Sequence, residues 1–445
     1  MIDVIGIGLG PFNLSLAALL TKTPAISSQF FEQKPCFNWH KNMILPHTTL
    51  QVPFLADLVS LIDPTSPFSF LNYLHCHQRL LKFYFLEDFE IFRQEYNHYC
   101  QWVVGQLSGL NFSAMVTETK AIDGGYQVTV CQNQKMQTFT AKNLVIATGS
   151  TPVLPPFLQD IATKAPKRCM HTANYATHFD VDTIARNDRL AKVLIIGSGQ
   201  SAAEVFRALF EQQLDEAGKP KFAIDWRTRS SGFFPMEYSK LGLEHFSPAY
   251  TDYFHSLPTS TKSQLIARQD LLHKGMSVVT ISDIYQKLYE RSVGNQPTFA
   301  TLMANCALKA VKLNEDQPTT INVTLHQQEQ NQTIHCDYDC VIAGTGYQEG
   351  LPDCLSPLLF DIECDDLGQP VVNRNYTLNV LNDPKTAVGS GHIFVQNQET
   401  HSHGVGSGDL GLGAYRAGCV VNQLAGRAIY DTKGLDIFQQ FGMAK

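Results

Sequence analysis

The sequence predicts an α/β chain with two Rossmann-like, doubly wound sheets and a small helical module. Two observations carry this. An apolar run, Ile2–Ile7, leads into a glycine-rich turn and a helical pattern, and the same succession recurs after Lys192–Ile196. Two further apolar runs, Leu144–Ala147 and Asp339–Ala343, also end at glycine turns. Continuous apolar runs of this kind suit parallel strands buried on both faces.

The first turn reads Gly8-Leu9-Gly10-Pro11-Phe12-Asn13. Gly8 permits the tight turn, and Gly10 lets the backbone approach a pyrophosphate. The turn, with Pro11 in it, opens a helix expected over Leu14–Leu20, whose free amides and dipole favour phosphate. Asn13 stands where the G-x-G-x-x-G fingerprint has its third glycine, so helix–strand packing has to accommodate a side chain. A second strand, Gln29–Phe31, ends at Glu32, 19 residues after Asn13. That matches the spacing of about 20 for an acid that accepts from ribose hydroxyls. The run 68–89 has Leu and aromatic residues at helical spacing and reads as a core-packing helix. Tyr126–Thr140 alternates and reads as an antiparallel excursion. Thr151–Pro156 reads as a crossover between domains.

The second turn reads Gly197-Ser198-Gly199-Gln200-Ser201-Ala202, again between strand and helix. The next strand, Phe222–Trp226, leads to Arg227 and Arg229. Two arginines there suit the 2′-phosphate of NADPH; the alternative is that they are surface residues and Asp225 serves an NAD ribose. Residues 236–290 are mostly helical and read as an inserted, substrate-facing module. The expected division is a discontinuous first domain, 1–175 with 340–445, and a second domain, 176–339, bearing that module.

Two dinucleotide sites in one chain imply electron transfer between FAD, bound first, and NADPH, bound second. Ala147-Thr148-Gly149-Ser150-Thr151-Pro152 has the form seen where flavoprotein chains leave the first domain. Gly344-Thr345-Gly346-Tyr347 resembles the return.

Composition narrows the classes. The net charge of −7 excludes a chain built to neutralise phosphate backbones, and 44% hydrophobic residues provide a large core. Asp3 stands where an export signal has basic residues, and no other run reaches the length of a membrane span. The 11 cysteines contain no C-x-x-C pair, so neither a zinc ribbon nor a disulfide reductase is expected. Phe157–Arg189 lacks the F-x-G-x-x-x-H of Baeyer–Villiger enzymes. His401-x-His403 offers two ligands without a third, so no metal is expected.

More specific are Gly8-x-Gly-Pro-x-Asn13, Trp39-His40-x-x-Met43, Asp57-Leu58-Val59, Asp63-Pro64-x-Ser66-x-Phe68, Phe70-Leu71-Asn72-Tyr73-Leu74 and Gly197-x-Gly-Gln-Ser-Ala-Ala-Glu204. Together they resemble the flavin-dependent N-hydroxylating monooxygenases of siderophore biosynthesis, over nearly the whole chain, and most nearly the lysine-hydroxylating branch of aerobactin-type pathways. The resemblance implies that NADPH reduces FAD, that O2 adds at flavin C4a, and that the hydroperoxide hydroxylates the terminal amine of L-lysine. It places Gln51 over the flavin, as the catalytic and substrate-side residue, and Trp39 and His40 in the flavin pocket. It places Thr345 and Gly346 at the return loop, and Leu243 and Glu244 at the substrate. Ornithine-hydroxylating relatives hold the substrate carboxylate with a lysine five residues after the glutamine. Here that residue is Ala56. Their asparagine falls on Leu243 and their C-terminal serine near Gly411. These departures argue against ornithine held in the same pose. The reacting amine must be neutral, whereas a free lysine amine has a pKa of about 10.4, so the site has to favour the unprotonated form. Expected partners are L-lysine and O2, without nucleic acid. A cytoplasmic location is expected, with peripheral membrane association and a homo-oligomer left open.

Overall fold

The computed structural model describes residues 1–314, 319–381, 391–433 and 437–443. Its first sheet runs in the order Leu110–Asn111, Ser28–Phe31, Ile2–Ile7, Lys135–Ile146, Gly125–Gln132, Ala114–Ile122. Ile2–Ile7 lies parallel to both neighbours, with Ile7 opposite Phe31 on one side and Ile146 on the other. The strand Lys135–Ile146 serves two layers. Its first half is antiparallel to Gly125–Gln132, and Ala141–Ile146 runs parallel to Ile2–Ile7. This explains why Lys135–Thr138 is exposed and Leu144–Ile146 fully buried. Ile393–Val395 returns from the C-terminal part to pair with the same strand.

The second sheet is wholly parallel, in the order Cys169–His171, Cys340–Ala343, Ala191–Ile196, Phe222–Arg227, Ala300–Met303. A three-stranded antiparallel sheet, Cys306–Leu313, Ile321–Gln327 and Gln332–Tyr338, packs beside it. The chain changes lobes through a short ribbon in which Thr151–Pro152 pairs antiparallel with Tyr347–Gln348. The expected boundaries at 175/176 and 339/340 are therefore corrected. The strands Cys169–His171 and Cys340–Ala343 both belong to the second sheet, and the lobes exchange at the ribbon. The Asp339–Ala343 run misleads because its glycine turn repeats the one that ends the first sheet's Leu144–Ile146.

The run 68–89 forms two helices, Phe70–Cys76 and Leu80–Leu86. The first buries Phe70, Tyr73 and Leu74, as expected of core packing. The second has no fully buried residue: Phe83 packs on Phe54 and Phe70, while Leu81, Tyr84 and Phe85 are about 70% exposed. The motif Asp57-Leu58-Val59 is structural. Asp57 is 4% exposed and accepts from the amides of Val59 (2.9 Å), Ser60 (2.6 Å) and Phe70 (2.7 Å) and from the Ser60 hydroxyl (2.7 Å). It ties the loop after Gln51 to the Phe70–Cys76 helix. Asp57→Ala, which strands four donors, the Val59 and Phe70 amides fully buried among them, should cost about 3 kcal/mol. A lower urea midpoint with an unchanged slope would register this; an unchanged midpoint would contradict it.

The helical module is present as Pro248–His255, Thr259–Arg268, Asp270–His273 and Val278–Ser292. Tyr250 and Phe254 pack on Val405 of the first lobe's return, whereas Met276 and Ile284 join the core of the second lobe. The module therefore bridges both lobes. Among the described residues no helix is long and apolar enough to cross a membrane.

Candidate active site

The two glycine loops are built alike. Gly8 (φ +83°) lies so close to Ala147 that a Cβ would stand 2.6 Å from its carbonyl oxygen. Gly197 (φ +116°) meets the Gly344 carbonyl at 2.3 Å in the same sense. Each loop is thus fastened to the turn ending a neighbouring parallel strand, and glycine is required sterically. Gly10 and Gly199, by contrast, face open space, with nothing within 4 Å of a Cβ. That is the surface left for a pyrophosphate, against the helices Pro11–Leu20 and Gln200–Gln212.

Asn13 is fully buried. Its amide donates to the Gly8 carbonyl (2.7 Å), and its oxygen accepts from Gln396 Nε2 (2.9 Å). The missing third glycine is therefore a tie between the nucleotide loop and the C-terminal return. Glu32 reaches the loop as its spacing predicts. It accepts from the Leu9 amide (2.8 Å) with one oxygen and from the Lys34 amide (2.9 Å) with the other.

Gln51 sits on the strand Thr49–Pro53, and its Nε2 is buried without a hydrogen-bond partner. Gln396 Oε1 and Asn397 Oδ1, on the return loop, are buried and unpartnered as well. Trp39 packs edge-on against His40 and Tyr96. The His40 ring is exposed to the cleft, but the protein mass around it, with the Arg93 and Lys34 charges, holds its pKa down to about 4. His40 is therefore a neutral donor or acceptor at pH 7.

Tyr347 joins the two sites. Its ring stands edge-on to His40 (6.3 Å), and its hydroxyl bonds Ser201 of the second loop. Thr345 donates to the Val153 carbonyl, and Gly346 accepts from the Val153 amide (3.0 Å), so both act in the crossover. Gln200 is satisfied within the protein, donating to Glu204 (2.8 Å) and Thr280 (2.9 Å) and accepting from the Ser277 amide (2.8 Å). Arg227 departs from expectation. It is 8% exposed, donates to the Thr301 carbonyl (3.0 Å) and hydroxyl (2.8 Å), and pairs with Asp225 (3.0 Å). Asp225 also accepts from Tyr338 (2.8 Å) and Thr301. Both are held inside the sheet edge. Arg229 is exposed beyond it and has no side-chain partner among the described residues, which leaves it for a phosphate.

Ala56 and Gly411 are neighbours: a Cβ on Gly411 would lie 4.0 Å from that of Ala56. Leu243 is 38% exposed on the turn Gly242–Phe246. Glu244 turns to the C-terminal segment. Its carboxylate accepts from the amides of Phe438 (3.0 Å) and Gln439 (2.9 Å) and clamps the C-terminal segment, which holds its pKa below the usual value. A cavity of about 1210 Å³ is lined by Asp252, Arg374, Tyr415 and Arg427 among others and touches neither glycine loop.

The chain matches the L-lysine 6-monooxygenase/L-ornithine 5-monooxygenase family over residues 1–349. It belongs to this family. It is 41% identical to the rhizobactin siderophore biosynthesis protein RhbE of Rhizobium meliloti, covering 99% of this chain and 95% of that one. It is 39% identical to a putrescine N-hydroxylase of Shewanella oneidensis, covering 99% and 84%. Its fold superposes on FAD-bound DfoA of Erwinia amylovora, a cadaverine monooxygenase of desferrioxamine biosynthesis. The TM-score is 0.89 at 33% identity, covering 100% and 99%.

The cofactors of this siderophore-pathway N-hydroxylase are FAD and NADPH, and the residues present fit both. The open face of Gly10 and the orphaned amides of Gln51, Gln396 and Asn397 suit FAD; the open face of Gly199 and the free Arg229 suit NADPH. Two residues of the monooxygenase escaped the sequence reading. Asp409 and Glu90 are the two charges that bear on Tyr238, and both are negative. Burial raises the Asp409 pKa to about 6 against the opposing pull of the Gly411 amide (2.6 Å) and Arg416. Burial also raises Glu90, whose carboxylate accepts from Thr49 (3.3 Å), two residues before Gln51. No motif marks either one; the signal available was Asp409, two residues before Gly411, where the family serine is missing.

Proposed function

We propose that this enzyme N-hydroxylates one amine of a short aliphatic diamine, such as putrescine or cadaverine, for hydroxamate siderophore assembly. The observation that carries it is charge. Ala56 stands where the ornithine-hydroxylating pattern has a lysine for the substrate carboxylate, and the charges beside Tyr238 are the carboxylates of Asp409 and Glu90. Such a site favours a dication and disfavours an amino acid. Lysine has the same reacting amine, but its carboxylate would meet acidic groups.

The overall change is amine + O2 + NADPH + H+ → hydroxylamine + H2O + NADP+. Bound FAD, reduced by NADPH, supplies the activated oxygen. The chain supplies the rest. Asp409 and Glu90 hold the distal ammonium. Ala56 beside Gly411 and the half-exposed Leu243 offer apolar side chains in place of charged ones, and such surroundings lower the pKa of a reacting amine by desolvation, as does the second positive charge on the same ligand. Gln51 Nε2, buried and free to donate, orients whatever acceptor lies over the strand Thr49–Pro53.

The purified chain with FAD, NADPH and putrescine or cadaverine should release about one hydroxylamine per NADPH oxidised, as a coupled monooxygenase does. Hydrogen peroxide as the main product with both diamines, together with coupled turnover of lysine or ornithine, would overturn the diamine reading.

A further inference from the structure

The helix of the second nucleotide loop is bolted to the first lobe by a buried ion pair. Arg93 opens the helix Arg93–Val104, and its guanidinium grips Glu204 with both forks, at 2.7 and 2.8 Å. Glu204 lies one turn after Gln200 in Gln200–Gln212, and its side chain is 1% exposed. The same Arg93 donates from Nε to the Thr49 carbonyl (3.1 Å) and from Nη1 to the Met43 carbonyl (3.2 Å). Thr49 begins the strand that carries Gln51. Glu204 in turn accepts from Gln200, which binds the Ser277 amide and Thr280 of the helical module. One turn further along, Arg207 donates to the carbonyls of Pro46 and His47.

We propose that Arg93 and Glu204 are positioning residues that hold the second nucleotide loop in register with the strand bearing Gln51, and so set the gap across which hydride passes from nicotinamide to flavin. The chain itself crosses between the lobes through the ribbon Thr151–Pro152/Tyr347–Gln348, which is two residues wide, and the helical module and Met43 and Leu45 add apolar contacts that fix orientation less sharply than a charged fork. Hydride transfer needs the reacting atoms about 3–3.5 Å apart, and a displacement of about 1 Å costs on the order of a hundredfold. A planar, bidentate fork fixes orientation as well as distance, which a lysine cannot do. The inference rests on the two-nucleotide chemistry and not on which amine is hydroxylated.

Glu204→Gln keeps the shape of the side chain but removes the charge, and Arg93→Lys keeps the charge but removes the fork. In both, the rate of flavin reduction at saturating NADPH should fall at least about tenfold. FAD affinity, NADP+ affinity and reoxidation of chemically reduced flavin by O2 should stay within about twofold, because Gly10 and Gly199 keep their open faces and the Gln200 amide can still donate to the side-chain oxygen of Glu204→Gln. Hydrogen exchange gives a readout apart from turnover. The amides of Val153 and Gln348 in the crossover should exchange faster, while those of Ile2–Ile7 and Ala191–Ile196 keep wild-type protection. Wild-type reduction rates in both variants would overturn the proposal. So would FAD affinity, core protection and reduction rate falling together, since that marks a role in folding alone.

Discussion

Gly10→Ala should leave a folded protein that binds FAD at least about a hundredfold more weakly. In the fold itself the added methyl meets nothing within 4 Å, so the chain has no reason to shift. The space it fills is where a pyrophosphate must approach the amides opening Pro11–Leu20. Losing two charge-assisted hydrogen bonds there costs about 3 kcal/mol, which is about a hundredfold or more in affinity. Gly199→Ala should be the mirror image: FAD retained, NADPH weakened to the same degree. Gly8→Ala and Gly197→Ala should differ in kind, because their methyl groups would stand 2.6 and 2.3 Å from backbone carbonyls at positive φ. Those variants should lose stability before they lose a cofactor. Titration of apoprotein with FAD and of the FAD form with NADP+, beside unfolding curves, separates the four. Wild-type affinity in both Gly10→Ala and Gly199→Ala would contradict the placement of the phosphates.

Asp409→Asn should lower kcat/KM for a diamine about thirtyfold at pH 8, through KM, by removing a hydrogen-bonded charge that pairs with the distal ammonium. The amide oxygen of asparagine can still accept from Gly411, so the fold should survive. The pH dependence follows from the same group. Burial raises its pKa to about 6. Below that pH the carboxyl is neutral and cannot pair with a cation; above it the charge is present. Diamine KM should therefore fall as pH rises through about 6 in the wild type and stay flat there in Asp409→Asn. The linkage has the matching sign. A raised native pKa means that the folded chain holds more protons than the unfolded one between about 4 and 6, so stability from this group declines as pH rises across that window. A bound diamine should restore it, giving a larger thermal shift at pH 7.5 than at pH 5. Equal shifts at the two pH values would remove Asp409 from the amine site.

The legible part of the sequence was its backbone logic. Gly8, Gly197 and the turns at Ala147 and Gly344 announce themselves because close approach and positive φ leave glycine few substitutes. Glu32 follows because a βαβ unit has a fixed length. Asn13 was read as an obstacle to packing, yet it serves as a hydrogen-bonded brace, since its partner Gln396 is distant in sequence. Arg227 looked available because the strand ends there, but Thr301 and Asp225, from the neighbouring strand and its own, absorb it. Glu244 likewise is taken up by the C-terminal segment. Asp409 and Glu90 were invisible for the opposite reason. They come from distant parts of the chain, Glu90 from a short strand and Asp409 from the C-terminal return, and only folding brings them to one tyrosine. The helix Leu80–Leu86 has an apolar pattern that local periodicity assigns to a core, and nothing local reveals that it faces solvent.

The central claim is that the site reads the absence of a carboxylate. Putrescine and ornithine differ only by that group, as do cadaverine and lysine. The most direct measurement is competition within each pair, at equal concentration, with both hydroxylamines quantified by mass spectrometry from one reaction. The account predicts that the diamine product dominates at least about tenfold in at least one pair, as expected when a cation meets paired carboxylates and a carboxylate meets repulsion. Lysine or ornithine product equal to or above its diamine in both pairs would contradict it.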